Sequence, residues 1–179
     1  MDNPDVQCSE KQREYSRVDT CIPIAYKLIN PRQRQYIRSR VAGELILSKF
    51  KSLPDPDDQV IAEWLKTINS KLNSIIRMMT IHHEGFDQLP LKSINISGGG
   101  ISFSADKPFS PGNIIEFKLI LTMQYPLSLF LYGEVVETSE HNPEHNTCVQ
   151  FIAIDDFIRD EIIRYVFEKE REILREKRK

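Results

Sequence analysis

The longest periodic run of apolar residues in the chain lies between residues 57 and 80. Its apolar side chains alternate spacings of four and three residues, which is a heptad repeat formed by Ile61, Leu65, Ile68, Leu72, Ile75 and Met79. This pattern predicts an amphipathic helix about 36 Å long, given the rise of an α-helix per residue. The apolar stripe can pack on its own domain, including a neighbouring helix, or on the same stripe of another subunit.

The neighbouring helix is predicted over residues 32–52. This segment is rich in helix-forming residues and has apolar positions at Ile37, Val41 and Leu45. Together the two predicted helices form an inserted helical hairpin spanning residues 31–81.

The rest of the chain has the pattern of β-strands. Runs rich in β-branched and aromatic residues, separated by Gly, Pro and Asn turns, cover residues 21–29, 80–85, 89–94, 101–104, 113–123, 127–138 and 147–153. Such spacing is typical of a small antiparallel barrel. An apolar periodicity after two aspartates then predicts a C-terminal helix over residues 155–176, so the fold class is α+β.

Composition places these elements in one domain. The chain has 179 residues, of which 40% are hydrophobic and 28% charged, enough for a single soluble core. Residues 1–12 are polar and predict a flexible tail before a domain spanning 13–179. The formal net charge of -2 excludes a general attraction for nucleic acid. Because no apolar run approaches the roughly 18 residues of a membrane span, membrane insertion is excluded as well.

Three further features bear on location and metal binding. Cys8, Cys21 and Cys148 lack a CxxC spacing, which predicts reduced thiols rather than a disulfide framework or zinc site. The acidic, polar N-terminus predicts no signal peptide and therefore a cytoplasmic protein. His82 and His83 are adjacent on a predicted extended segment and point to opposite faces, so we predict no metal site.

The candidate chemistry centres on residues 95–100, Asn-Ile-Ser-Gly-Gly-Gly, between two predicted strands. Glycine permits a positive φ or a close approach to the backbone, and Asn95 and Ser97 can cap a turn or contact a ligand. A turn rich in free N–H groups is suited to an anion. The alternative is a hairpin turn without ligand; a nucleotide P-loop is excluded because no Lys-Ser/Thr follows the glycines.

Two arginines four residues apart, Arg13 and Arg17, precede the first predicted strand. The guanidinium group is a planar donor that binds phosphate and the O6/N7 edge of guanine, and it stacks on bases. If the segment is a loop, both groups can face one site.

Together, Arg13-Glu-Tyr-Ser-Arg17 and Asn95-Ile-Ser-Gly-Gly-Gly100 match the RxxxR and (D/N)xSxxG signatures, and the sequence resembles the PilZ domain family. The resemblance covers about residues 13–29 and 86–170, including the strand and helix that close the domain. It implies a six-stranded barrel that binds the bacterial second messenger cyclic di-GMP. By this resemblance the ligand-binding residues are Arg13, Arg17, Asn95, Ser97, Gly98 and Gly100.

The sequence departs from the family pattern at two places, which bear on the number of bound ligand molecules and on oligomerisation. Gln12 stands where many members have a third arginine, so both a single ligand molecule and an intercalated dimer remain open. The insertion at residues 31–81 resembles that of members with long inserted helices, which predicts a homo-oligomer.

Two functional hypotheses follow from the sequence. The first is a non-catalytic cyclic di-GMP receptor acting on an unidentified downstream protein or on its own assembly. The second is an oligomerising adaptor of the same fold that does not bind the nucleotide. An enzyme has little support, because no catalytic triad or carboxylate pair stands out, and no cofactor is expected.

Overall fold

The computed structural model describes residues 15–43, 54, 56–123, 126–141 and 144–177. Its strands are β1 (Arg17–Leu28), β2 (Arg40–Val41), β3 (Leu91–Ser97), β4 (Gly100–Ala105), β5 (Ile114–Leu121), β6 (Leu127–His141) and β7 (Glu144–Ile152). Its helices are a 3-10 helix (Pro31–Tyr36), α1 (Gln59–His83) and α2 (Asp156–Glu176).

Six of the strands form a closed antiparallel barrel. They are hydrogen-bonded in the order β6-β5-β1-β3-β4-β7, and β7 pairs back to β6, while the short β2 adds to the outer edge of β6. Alternate residues of each strand face the interior, as in β5, where Ile115, Phe117, Leu119 and Leu121 are fully buried. The predicted six-stranded barrel is therefore confirmed, with β2 as an extra strand.

The C-terminal helix α2 covers one side of this barrel. Asp155 caps its N-terminus, with the carboxylate oxygen Oδ1 accepting a hydrogen bond of 2.9 Å from the Ile158 N–H. The buried face of α2 consists of Ile158, Ile162, Tyr165 and Val166, which join the barrel core. This element follows the prediction from its first residues to its last turn.

The insertion between β1 and β3 differs from the predicted hairpin in two places. Residues 31–43 hold the 3-10 helix and β2 instead of the start of an α-helix over 32–52, and residues 44–53 lie outside the described part. The strand predicted over 80–85 is wrong, because α1 continues to His83. Gly85 then ends the helix with a φ of 70°, and Gly85 N–H and Phe86 N–H donate to the carbonyls of His82 and Ile81. This is a Schellman motif, which glycine favours.

A small apolar cluster anchors the end of α1 to the barrel. The rings of Phe86 and Phe130 meet edge to face, with centroids 5.1 Å apart, and Ala42 is buried beside them. Lys118 Nζ donates to the Glu84 carbonyl at 2.5 Å, and the guanidinium of Arg40 lies 3.9 Å from the Phe130 ring centroid. The direction in which α1 leaves the barrel is thus fixed by packing and by a cation at its C-terminus.

The cysteine prediction is wrong at one position. Cys148 is disulfide-bonded, whereas Cys21 is a free thiol, and Cys8 lies outside the described residues. His82 and His83 are helical rather than extended, and His82 pairs with Asp87 at 2.7 Å. Within the described residues, no group of three or more potential ligands could hold a metal ion. In the same part of the chain, none of the helices combines the length and the hydropathy that a transmembrane span requires.

Candidate ligand-binding site

The glycine-rich stretch forms a tight hairpin between β3 and β4. Ser97 pairs with Gly100 across it, and Gly98 and Gly99 make the two-residue turn. The buried Ser97 hydroxyl donates to the Gly100 carbonyl and accepts from the Gly99 N–H, both at 3.3 Å. The Gly99 carbonyl in turn accepts a hydrogen bond of 3.0 Å from Phe151 N–H on β7. Ser97 therefore closes the turn, one of the two roles its sequence position allows.

The glycines of this hairpin serve close packing rather than a positive φ. The positive φ angles among the described glycines occur at Gly43, Gly85 and Gly112. At Gly100, an added Cβ would clash with the carbonyl oxygen of Val149 on the paired strand β7. At Gly98, it would lie 2.7 Å from Ile163 Cγ1 on α2. The hairpin can therefore lie flat against β7 and α2 only without side chains at these positions.

Replacing Gly100 by alanine is expected to lower the free energy of unfolding by about 1–3 kcal/mol, the usual cost of overpacking against a neighbour that cannot move. The obstacle is backbone, the Val149 carbonyl. Urea denaturation measures the change.

The matched control is Gly99→Ala, whose added methyl would lie 3.2 Å from the Tyr15 ring, a side chain that can rotate away. We expect a smaller loss of stability in this control. Equal losses in the two variants would contradict the proposed role of Gly100.

Arg17 is the first residue of β1 and pairs directly with Ser97 of the hairpin. Residues opposite each other in antiparallel strands have Cβ atoms about 4.5–5.5 Å apart, so the arginine projects beside the glycine turn. Arg17 is exposed while Val18 is buried, so its side chain points away from the core. The structure thus brings Arg17, Asn95, Ser97 and Gly98 together at one end of the β1–β3–β4 surface. Arg13 lies outside the described residues.

Asn95 lies two residues before Ser97 and is held by a residue that sequence reasoning missed. The amide nitrogen Nδ2 of Asn95 donates to Asp19 Oδ1 at 2.8 Å, and the two residues are directly opposite in the register of β1 and β3. Asp19 is exposed and lies two residues after Arg17, on the same face of β1. In the sequence, Asp19 could have been found by its position two residues after Arg17, which puts both on one face of a strand. That position points to Asn95 only once the register of β1 and β3 is known.

A second missed feature is the contact of the lead-in segment with α2. The ring of Tyr15 lies over the turn, so close that an added Cβ on Gly98 would be 3.0 Å from its Cδ1. Arg159 of α2 lies 5.7 Å from the Tyr15 ring centroid, and the Ser16 hydroxyl donates a short hydrogen bond to Glu170. Residues 15 and 16 therefore contact both the hairpin and α2.

A second contact between α2 and β1 is made by Tyr165 and Thr20 and is partly buried. Tyr165 is fully buried, with its hydroxyl 3.0 Å from Thr20 Oγ1. Burial raises the pKa of the Tyr165 hydroxyl above its ordinary value, so this group is protonated at neutral pH. The N-terminal half of β1 is thus joined to α2 by a buried ring and a hydrogen bond.

A separate candidate site is the apolar face of α1, which we call the α1 stripe. Its six heptad residues are each about half exposed or more, at 48–68%: Ile61, Leu65, Ile68, Leu72, Ile75 and Met79. Trp64, at 67% exposed, widens this face. The opposite face of the helix is polar, with Lys66, Ser70 and Ser74. The barrel therefore does not bury the stripe. Most of the neighbouring helix that the sequence predicts lies outside the described residues, so both packing arrangements remain predictions.

Comparisons with known proteins found a matching family and a similar solved structure. The model of the PilZ domain matches residues 77–168, just over half of the chain, a region that includes the glycine hairpin but not Arg17. No curated protein gives a significant match. Among solved structures, a pathogenic protein from Xanthomonas campestris is similar, with a TM-score of 0.56 and 17% identity over 90% of this chain and 91% of that chain. That protein is described as a tetrameric PilZ domain self-assembled through an unusual helical bundle.

Proposed function

Because the chain belongs to the PilZ domain family, we propose that it is a receptor that binds cyclic di-GMP and relays the binding to a partner or to its own assembly. PilZ domains are generally non-catalytic receptor domains. The single observation that carries the proposal is the register that sets Arg17 opposite Ser97. Two motifs about 80 residues apart in the sequence thereby become neighbours on one surface.

The chemistry of this surface suits a cyclic dinucleotide. Arg17 supplies a fixed, planar set of donors for a phosphate or for the O6/N7 edge of guanine. The hairpin at Gly98 and Gly99 has no side chains of its own, so a flat base or a phosphate could approach its backbone if the Tyr15 ring that lies over it moved. Asn95 adds a directional polar group. The RxxxR signature implies that Arg13, in the segment that precedes β1, would also bind the ligand.

The relay is proposed to begin at Tyr15. Because its ring lies over Gly98 and Gly99, a ligand that stacks on this backbone must move the ring or pack against it. Either change would alter the contact of Tyr15 with Arg159 and the adjacent hydrogen bond from Ser16 to Glu170. Ligand binding would therefore be reported at the exposed side of α2.

Calorimetric titration of the full chain with cyclic di-GMP tests the receptor function. We expect saturable binding, with a stoichiometry of one ligand per chain or of two if the ligand binds as an intercalated dimer. Cyclic di-AMP serves as the control ligand and is expected to bind more weakly. A wild-type chain that binds neither nucleotide would remove the receptor function.

A second function, oligomeric assembly, is favoured by the exposed α1 stripe. We propose that the stripe packs on the same stripe of a second copy, because heptad spacing is the geometry of helix pairing and the apolar residues are otherwise in water. The similar protein from Xanthomonas campestris self-assembles through a helical bundle. An adaptor without a nucleotide site would assemble but show no heat of binding when titrated with cyclic di-GMP. A receptor would bind cyclic di-GMP whether or not it assembles.

A further inference from the structure

The pair formed by Asp19 and Asn95 has a defined orientation. A carboxylate only accepts hydrogen bonds, so the Asn95 atom 2.8 Å from Asp19 Oδ1 must be the amide nitrogen. The carbonyl oxygen of Asn95 is then directed away from Asp19. As a result, the pair presents two acceptors, Asn95 Oδ1 and Asp19 Oδ2, on the exposed surface of the β1–β3 pair.

Arg17 provides donors on the same surface. It lies two residues before Asp19 on the same face of β1, a separation of about 7 Å along a strand. The surface therefore has a polarity, with a cation beside the glycine turn and acceptors farther along the strands. A phosphate is attracted to the Arg17 end and repelled from the Asp19 end, so a bound nucleotide would direct its base toward Asp19.

The bases differ in what they offer to such acceptors. Guanine carries two adjacent donors, N1–H and the 2-amino group, on the edge that also holds O6. Adenine carries a single amino donor next to an acceptor nitrogen, which a carboxylate would repel. Two side-chain acceptors next to each other therefore match guanine and reject adenine.

We propose that Asp19 is a specificity residue that selects guanine in the nucleotide site. Its Oδ2 accepts from the N1–H and 2-amino edge, and its Oδ1 holds Asn95 so that the Asn95 carbonyl accepts beside it. This inference rests on the proposed cyclic di-GMP receptor function and adds the residue that reads the base.

The experiment compares cyclic di-GMP with cyclic di-IMP, which lacks only the 2-amino groups, by calorimetric titration of the full chain. Wild type is expected to bind cyclic di-GMP roughly tenfold or more tightly than cyclic di-IMP, the range of one well-formed bidentate contact. Asp19→Asn and Asp19→Ala are expected to reduce this ratio to about two or less, chiefly by weakening cyclic di-GMP. Asp106→Asn, an exposed aspartate beyond the opposite end of β4, is the control and should keep the wild-type ratio.

The outcomes separate this inference from the function it rests on. If Asp19 acts only in pairing β1 with β3, its variants lose affinity for both nucleotides equally and the ratio stays at the wild-type value, which overturns the specificity role. If wild type binds neither nucleotide, the receptor function and the inference fall together. Asp19→Asn keeps the shape of the side chain, so it reports on charge and acceptor chemistry even if Asp19→Ala folds poorly.

Discussion

Replacing Arg17 by alanine is expected to weaken cyclic di-GMP binding by about a hundredfold, equivalent to about 2.8 kcal/mol of binding free energy. A hydrogen bond to a charged partner contributes about 1.5–3 kcal/mol, and arginine makes two in parallel when it binds phosphate or guanine. Because Arg17 is exposed and its backbone is paired with Ser97, the substitution leaves the barrel intact. Calorimetric titration measures the loss.

Two further variants make the Arg17 result specific. Arg17→Lys keeps the charge but loses the planar donor, so it should bind with an intermediate affinity. Arg175→Ala removes an exposed arginine near the far end of α2 and should bind like wild type. Equal affinities of Arg17→Ala and wild type would show that the nucleotide binds elsewhere, even if the chain proves to be a receptor.

The barrel could be predicted because its signals are local. Alternating apolar residues, β-branched content and the turns at Pro111–Gly112 and around Gly98 locate five strands after the insertion to within a few residues. The closing helix was readable for the same reason, since Asp155 caps it and its apolar residues recur at helical spacing.

The insertion was harder to predict because its structure depends on distant partners. Residues 40 and 41 are extended because they pair with Phe130 and Leu129 of β6, although their sequence favours a helix. At the end of α1, Gly85 and Phe86 look like the boundary of a strand, but they form a helix C-cap whose apolar residue packs on Phe130. In both places a tertiary contact outweighs the local propensity.

The geometry of the candidate site could be predicted only in part, for a similar reason. The residues of the hairpin could be identified from their spacing, but the reason for the glycines could not, because it lies in Val149 and Ile163, which are distant in sequence. The position of Asp19 opposite Asn95 depends on a register that no single-strand pattern encodes. Sequence motifs thus locate a surface, whereas the neighbours that orient each side chain emerge from the fold.

The second large effect is expected from Leu72→Asp in the middle of the α1 stripe. Burying a leucine in an interface contributes about 1.5–3 kcal/mol, and an unpaired carboxylate in an apolar contact costs at least as much again. In a symmetric assembly this loss is repeated in every copy. We therefore expect the variant to have the mass of a single chain in light scattering, at concentrations where wild type has a multiple of it.

Folding of the Leu72→Asp variant is expected to be unaffected, because Leu72 is already half exposed in the single chain and does not contribute to the barrel core. The only tryptophan of the chain gives an independent reading of the interface. Trp64 is 67% exposed in the isolated chain and borders the stripe. Assembly would cover it, so its emission should shift to longer wavelength when Leu72→Asp separates the subunits.

The matched control for this variant is Ser70→Asp, which places the same charge on the polar face of α1, directly opposite the stripe. This control should retain the wild-type mass and tryptophan emission. A wild type that is monomeric at all concentrations, or a Leu72→Asp variant with the wild-type mass, would contradict pairing of the stripe with a second copy.

Because the stripe and the Arg17 surface lie on different elements, Leu72→Asp should still bind cyclic di-GMP. Assembly and ligand binding can therefore be measured separately.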